Sequence, residues 1–157
     1  EDIRGLPTNS NIAISMLSTD IVTIMHGDDL MHPQRNQFLL WAFTRPDVQA
    51  LVHGFTYGDD LSMLPEKFEE LTMKLNYIDT IVPGKKYPVS GENPDVEFLN
   101  GHVTFRRELF DRFQYNEDDE WFYDADSEFN SRLVKNGIYL SYIPQLLLLY
   151  IRRNYHG

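Results

Sequence analysis

The chain has 157 residues, 42% hydrophobic and 13% aromatic, which is enough apolar material for one globular domain. A formal net charge of -10 argues against a nucleic-acid surface, which would need a basic stripe to meet phosphates. The absence of cysteine excludes disulfide, zinc-thiolate and thiol-nucleophile chemistry. No apolar run approaches the ~20 residues of a transmembrane helix, and the first residues are unlike a signal peptide. The chain opens without methionine and in mid-pattern, as a fragment would, and a cytoplasmic location is the default expectation.

In chain order, Gly5 to Asn11 is turn chemistry. Thr8, Asn9 or Ser10 suits the cap of a helix running through Ile12, Ala13, Met16 and Leu17. Ile21 to Met25 is short, apolar and β-branched, the pattern of a buried strand. After Gly27-Asp28-Asp29, Pro33 suits the first position of a helix. That helix carries the stripe Phe38, Leu39, Ala42 and Phe43 and stops at Arg45-Pro46. Val48 to Tyr57 reads as a strand with an irregularity at Gly54. Gly58-Asp59-Asp60 reads as a solvated turn.

The spacing of Phe68, Leu71, Leu75 and Ile78 predicts an amphipathic helix from Pro65 to about Ile78. Residues 79–97 are rich in Pro, Gly, Lys, Ser and Asn and form a loop expected to cross the acceptor side of a site. Phe98 to Phe105 predicts a strand interrupted at Asn100-Gly101, and Arg106 to Phe113 a short helix. Tyr115 to Trp121 reads as a solvated acidic loop. Asp124 then caps a helix through Ala125, Phe129 and Leu133 that Gly137 ends. Ile138 to Tyr142 and Gln145 to Ile151 read as two short strands around Pro144. Helices alternating with short buried strands define a layered α/β protein.

Three constellations carry chemistry. His26-Gly27-Asp28-Asp29 offers hard oxygen ligands at a strand end, where open α/β sheets bind ligands and where a divalent cation could sit beside a diphosphate. Asp28 is the better direct ligand. His26 would favour manganese over magnesium. A solvated Gly-Asp turn remains the other reading. Asp126 lies in the first turn of a predicted helix just past Trp121-Phe122-Tyr123, where desolvation would suit a general base. It would equally complement the helix dipole. Arg152, Arg153 and His156 could complete a metal or phosphate site, or could simply be exposed.

Five stretches, in order, resemble the family 2 glycosyltransferases of the GT-A fold. Ser10-Asn11-Ile-Ala-Ile-Ser-Met-Leu-Ser-Thr-Asp is similar to that family's "arginine-asparagine" helix. Ile24-Met-His26-Gly-Asp28-Asp29-Leu-Met-His32-Pro33-Gln-Arg35 resembles its metal-binding DxD segment with the helix that follows. Asn100-Gly101 through Arg106-Arg107 to Phe113 is similar to its acceptor-side segment. Asp124-Ala-Asp126 through Arg132 to Gly137 resembles the helix that supplies the catalytic base. Tyr150-Ile-Arg152-Arg-Asn-Tyr-His156 is similar to its closing stretch.

The resemblance implies that residues 1–157 are a single domain, the C-terminal portion of a GT-A catalytic domain. Its fold would be α/β: a partial GT-A, Rossmann-like mixed sheet flanked by helices, without the N-terminal nucleotide-binding strands. The implied activity is inverting transfer from a nucleotide-diphospho-sugar, a UDP-sugar foremost, to a hydroxyl of a glycan or other acceptor, with Mn2+ or Mg2+. Asp126 would be the catalytic base. Asp28, with His26 and His156, would hold the metal. Asn11, Asp29, Arg35, Gly101 and Arg152 would contact donor or substrate.

Two positions depart from the family pattern: His26 stands at the first acidic position of the DxD, and Ala125 where a carboxylate usually precedes the base. They keep open a degenerate or partial module that binds a glycan or partner without catalysis. A metal-dependent phosphohydrolase built on Asp28 and Asp29 is a third reading.

Overall fold

A computed structural model describes residues 5–70, 72–78, 103–118 and 125–151. The elements are α1 (Leu6–Ser15), β1 (Ile21–Thr23), β2 (Leu30–Met31), α2 (Arg35–Phe43), β3 (Ala50–Tyr57), β4 (Lys74–Ile78), β5 (Val103–Arg106), α3 (Ala125–Lys135) and β6 (Leu140–Tyr150), with 3-10 turns at Leu61–Met63 and Arg107–Asp111.

Six strands form one mixed sheet in the order β1-β5-β3-β6-β2, and β4 also pairs with β6. β3 and β6 are parallel, and every other pairing is antiparallel. It follows that β1, β3 and β6 point the same way. Helices cover both faces. Ile14 of α1 and Phe129, Leu133 and Val134 of α3 join Val22, Val52 and Phe105 in one core, while the predicted α2 stripe packs with Val48, Leu51, Ile143 and Leu147 in a second. The protein is therefore a layered α/β fold, a mixed sheet flanked by helices.

Several expectations need correction. α1 begins at Leu6, with Gly5 extended at its N-cap and Pro7 in the first turn, so Thr8, Asn9 and Ser10 lie inside the helix. β1 is a three-residue strand that, among the described residues, pairs with β5 alone, so it lies at the edge of the sheet.

No helix spans 65–78. Residues 65–70 lack regular structure, and Lys74–Ile78 is a strand paired with β6. Tertiary partners outweigh the apolar spacing there. The Phe68 ring sits 4.8 Å from His32 and 5.7 Å from Phe38, and its N–H donates to Gln34 Oε1 (2.9 Å) instead of to a helical carbonyl.

The segment after β5 is a 3-10 turn, tighter than the expected α-helix. The two strands expected around Pro144 are one strand, β6, with Pro144-Gln145 bulged out opposite Gly54. A bulge is the place where a central strand accepts proline, because the ladder makes no demand on the missing N–H.

The bulge has a counterpart in β3. Ala50 and Val52 enter the first core before Gly54, and Phe55 enters it after, so the inward set changes from even to odd positions. Gly54 permits this because a Cβ there would lie 2.8 Å from the carbonyl oxygens of Pro144 and Gln145. At the end of α3, Gly137 takes φ +81°, Ile138 N–H donates to Leu133 O and Gly137 N–H to Val134 O. This is the Schellman arrangement expected of that glycine.

The loop 79–97, residues 98–102 of the expected strand, Trp121 to Asp124 and the tail from Arg152 to His156 lie outside the described residues.

Candidate active site at the carboxyl edge of the sheet

The parallel set β1, β3 and β6 defines a carboxyl edge. β1 runs into the turn 26–29 there, and β3 into Gly58, whose N–H donates to Tyr150 O (3.1 Å). β6 ends at the same edge, with Tyr57 and Tyr150 packed ring edge to face at 5.4 Å. β5 starts level with the end of β1, where Thr104 pairs with Thr23, and with Val52 in the first half of β3. Only residues 136–139 join α3 to the start of β6. Phe129, three residues beyond Asp126, packs on Phe105 (5.4 Å), whose partner in β3 is Ala50.

The two carboxylates of the turn differ in placement. Asp28 is half-buried. Asp29 is buried, because β2 pairs with Leu148 and Leu149 and draws the turn against the end of β6. Its Oδ1 accepts from Ile151 N–H (3.4 Å), and its Oδ2 lies 3.9 Å from His26 Nδ1, beyond hydrogen-bond range. Burial pushes the Asp29 carboxyl above its usual range. The Ile151 N–H and His26 oppose that shift, and the charge of Asp28 adds to it.

Asp29 Oδ2 and His26 Nε2 are both buried without a hydrogen-bond partner. Orphaned buried acceptors of this kind are uncommon and destabilising. One carboxylate oxygen and one imidazole nitrogen in a single turn fit the donor chemistry of a divalent cation, manganese better than magnesium. Asp28 adjoins Asp29 in sequence, but among the described residues no three His, Asp or Glu side chains are gathered closely enough to hold a metal ion.

Asp126 is half-buried in the first turn of α3, and its Oδ1 accepts from Ser127 N–H (2.8 Å). α3 carries acids in its first turn and Arg132 and Lys135 in its last, in accord with its dipole. The buried Tyr115 phenol lies within electrostatic reach of Asp126. Burial, with the Asp126 charge adding to it, holds that phenol protonated well above the ordinary tyrosine range.

Arg35 is 1% exposed and works from inside. Its Nε donates to His53 Nε2 (3.0 Å) and its Nη2 to Thr23 Oγ1 (2.7 Å). Thr104 Oγ1 also donates to Thr23 Oγ1 (3.0 Å), so this network pins the end of β1 just before the acidic turn. Burial lowers the Arg35 pKa to about 10. Asn11 points to the 115–117 segment: its Nδ2 donates to Tyr115 O (2.9 Å) and Glu117 Oε1 (2.8 Å). Gly101, Arg152 and His156 lie outside the described residues. Asp60 is exposed and caps the Leu61–Met63 turn through Ser62 N–H.

Sequence reasoning gave no role to His32, His53 or Tyr115. His32 is a buried clamp between Pro65 O (2.8 Å) and Gln34 N–H (3.1 Å). Each has at least one partner distant in sequence (Pro65 for His32, Arg35 for His53, Asn11 for Tyr115), so only the isolated polar residue within an apolar context could have marked them.

No protein-family model matches the chain, and no curated protein matches it at a significant level.

Proposed function

We propose that the chain is the C-terminal portion of the catalytic domain of an inverting glycosyltransferase of the family 2, GT-A type. The observation that carries this reading is the acidic turn 26–29 after β1, where Asp29 Oδ2 and His26 Nε2 are buried without a partner, in a chain whose metal, acceptor and base segments resemble the family's in order. Asp126 takes the proton of an acceptor hydroxyl, which attacks the anomeric carbon of a UDP-sugar from the face opposite the diphosphate. His26, Asp28 and Asp29 would hold a divalent cation, with His156 as a further candidate. A bound Mn2+ or Mg2+ supplies Lewis-acid stabilisation of the leaving diphosphate. Arg35 holds Thr23, and so the approach to the turn, in place. Gly101 and Arg152 would contact acceptor and donor.

The test is product detection with a panel of nucleotide-sugars, Mn2+ and glycan acceptors, alongside Asp126→Asn. Transfer by the native chain with a fall of about 10²–10⁴-fold in the variant is expected. No transfer with any donor, or undiminished transfer by the variant, refutes the reading. The imidazole at position 26 favours, as a second reading, a module that binds without catalysis. Isothermal titration with UDP and Mn2+ separates the two: no heat supports this second reading, in which the module binds a glycan or a partner.

A further inference from the structure

Residues 114–117 form a strap between α1 and α3. From α3, Arg132 Nη2 donates to Gln114 O (2.7 Å) while its guanidinium also pairs with Glu128 (2.7 and 2.9 Å). From α1, Asn11 grips both backbone groups of one residue: its Oδ1 accepts from Tyr115 N–H (2.9 Å) and its Nδ2 donates to Tyr115 O (2.9 Å), across 104 positions of sequence. Glu117 closes the strap on α1 through Asn11 Nδ2 (2.8 Å) and Thr8 Oγ1 (2.9 Å). The Tyr115 ring, 3% exposed, stacks on Phe129 at 4.4 Å. Phe129 sits three residues beyond Asp126, on the adjoining turn of α3.

The amide of Asn11 is thus fully engaged: one acceptor contact and two donated hydrogens, all to the strap. We infer that Asn11 is a positioning residue for Asp126: it fixes the Tyr115 peptide, Tyr115 fixes Phe129, and Phe129 sets the first turn of α3. This role rests on Asp126 being the proposed base. It differs from the donor contact that the family resemblance implies for Asn11, and the two separate kinetically. A donor contact acts on KM, whereas a positioning residue acts on kcat.

The test uses a readout that needs no substrate. Ser127 N–H donates to Asp126 Oδ1, so the Ser127 amide resonance follows the ionisation of that carboxylate. Asn11→Ala should move the Ser127 titration midpoint by about half a pH unit or more, roughly a threefold change in proton affinity. Asn11→Gln keeps a neutral amide and displaces it by one methylene. It should fall between Asn11→Ala and the native chain, and it serves alone if the alanine variant does not fold. Thr8→Ala, which loosens Glu117 only, should leave the midpoint unchanged. Where sugar transfer is measured, Asn11→Ala should lower kcat by about tenfold to a hundredfold with donor KM held within about twofold. A Ser127 midpoint that stays native in both Asn11 variants while only the melting temperature falls overturns the role. So does a rise in donor KM at unchanged kcat. Absence of sugar transfer by the native chain counts against the proposed function, and the Ser127 titration still decides the role of Asn11.

Discussion

Asp29→Asn should make this protein more stable. The native carboxylate is 4% exposed, with one long hydrogen bond from Ile151 N–H at 3.4 Å and the other oxygen buried without a partner. Asparagine keeps an oxygen for Ile151 N–H and removes the charge. An unpartnered buried acceptor costs about 1–3 kcal/mol, and more when charged. The variant should therefore gain about 1–2 kcal/mol at pH 7, a rise in melting temperature of roughly 2–8 °C for a chain of this size.

The gain depends on pH. Burial raises the folded-state pKa of Asp29 above its unfolded value of 3.8, so the unfolded chain releases that proton first as pH rises. Native stability is full at low pH, falls as pH climbs from about 3.8 through the folded pKa, and stays lower above it. The advantage of Asp29→Asn should vanish near pH 3.5 and be complete at neutral pH, read by urea titration at several pH values. Mn2+ at about a hundred times its Kd should stabilise the native chain by about 2.7 kcal/mol and the variant much less. A variant less stable than native at pH 7, or an advantage that does not change with pH, would refute the reasoning.

Other substitutions probe the frame around the site. Gly54→Ala places a Cβ 2.8 Å from two backbone carbonyls and should cost about 2–3 kcal/mol, measured by chemical denaturation. Arg35→Ala leaves His53 Nε2 without its donor and Thr23 Oγ1 with Thr104 as donor, and empties a fully buried site. A loss of about 3–5 kcal/mol is expected, with Arg35→Lys recovering only part of it. Gly137→Ala forces a side chain to φ +81° and should cost about 1–2 kcal/mol without touching activity.

Local signals were legible in the sequence where they decided the outcome. The stripe Phe38, Leu39, Ala42 and Phe43 fixes the buried face of α2, Gly137 ends α3, and Gly54 marks the break in β3. Each depends on near neighbours or on backbone geometry. The segment 65–78 misleads because Phe68 finds His32, Phe38 and Gln34 about thirty positions away, and strand pairing with β6 supplies the remaining backbone bonds. Adjacent carboxylates at 28 and 29 look equivalent in sequence. Only the packing of β2 against the end of β6 buries one and leaves the other half-open. The Asn11 grip on Tyr115 leaves no trace in either segment alone, since an asparagine in a helix and a tyrosine in a loop are both unremarkable.

The change of parity in β3 constrains the chain in another way. Ala50 and Val52 face the first core before Gly54, and Phe55 does so after, with Tyr57 packed against it. Adding or removing one residue between His53 and Phe55 would rotate both aromatics to the opposite face. Phe55 would leave the first core, and the Tyr57–Tyr150 pair at the carboxyl edge would part. Loops elsewhere can change length with little penalty, but this interior stretch works as a fixed spacer: its residue count, more than its composition, decides whether the site edge is assembled.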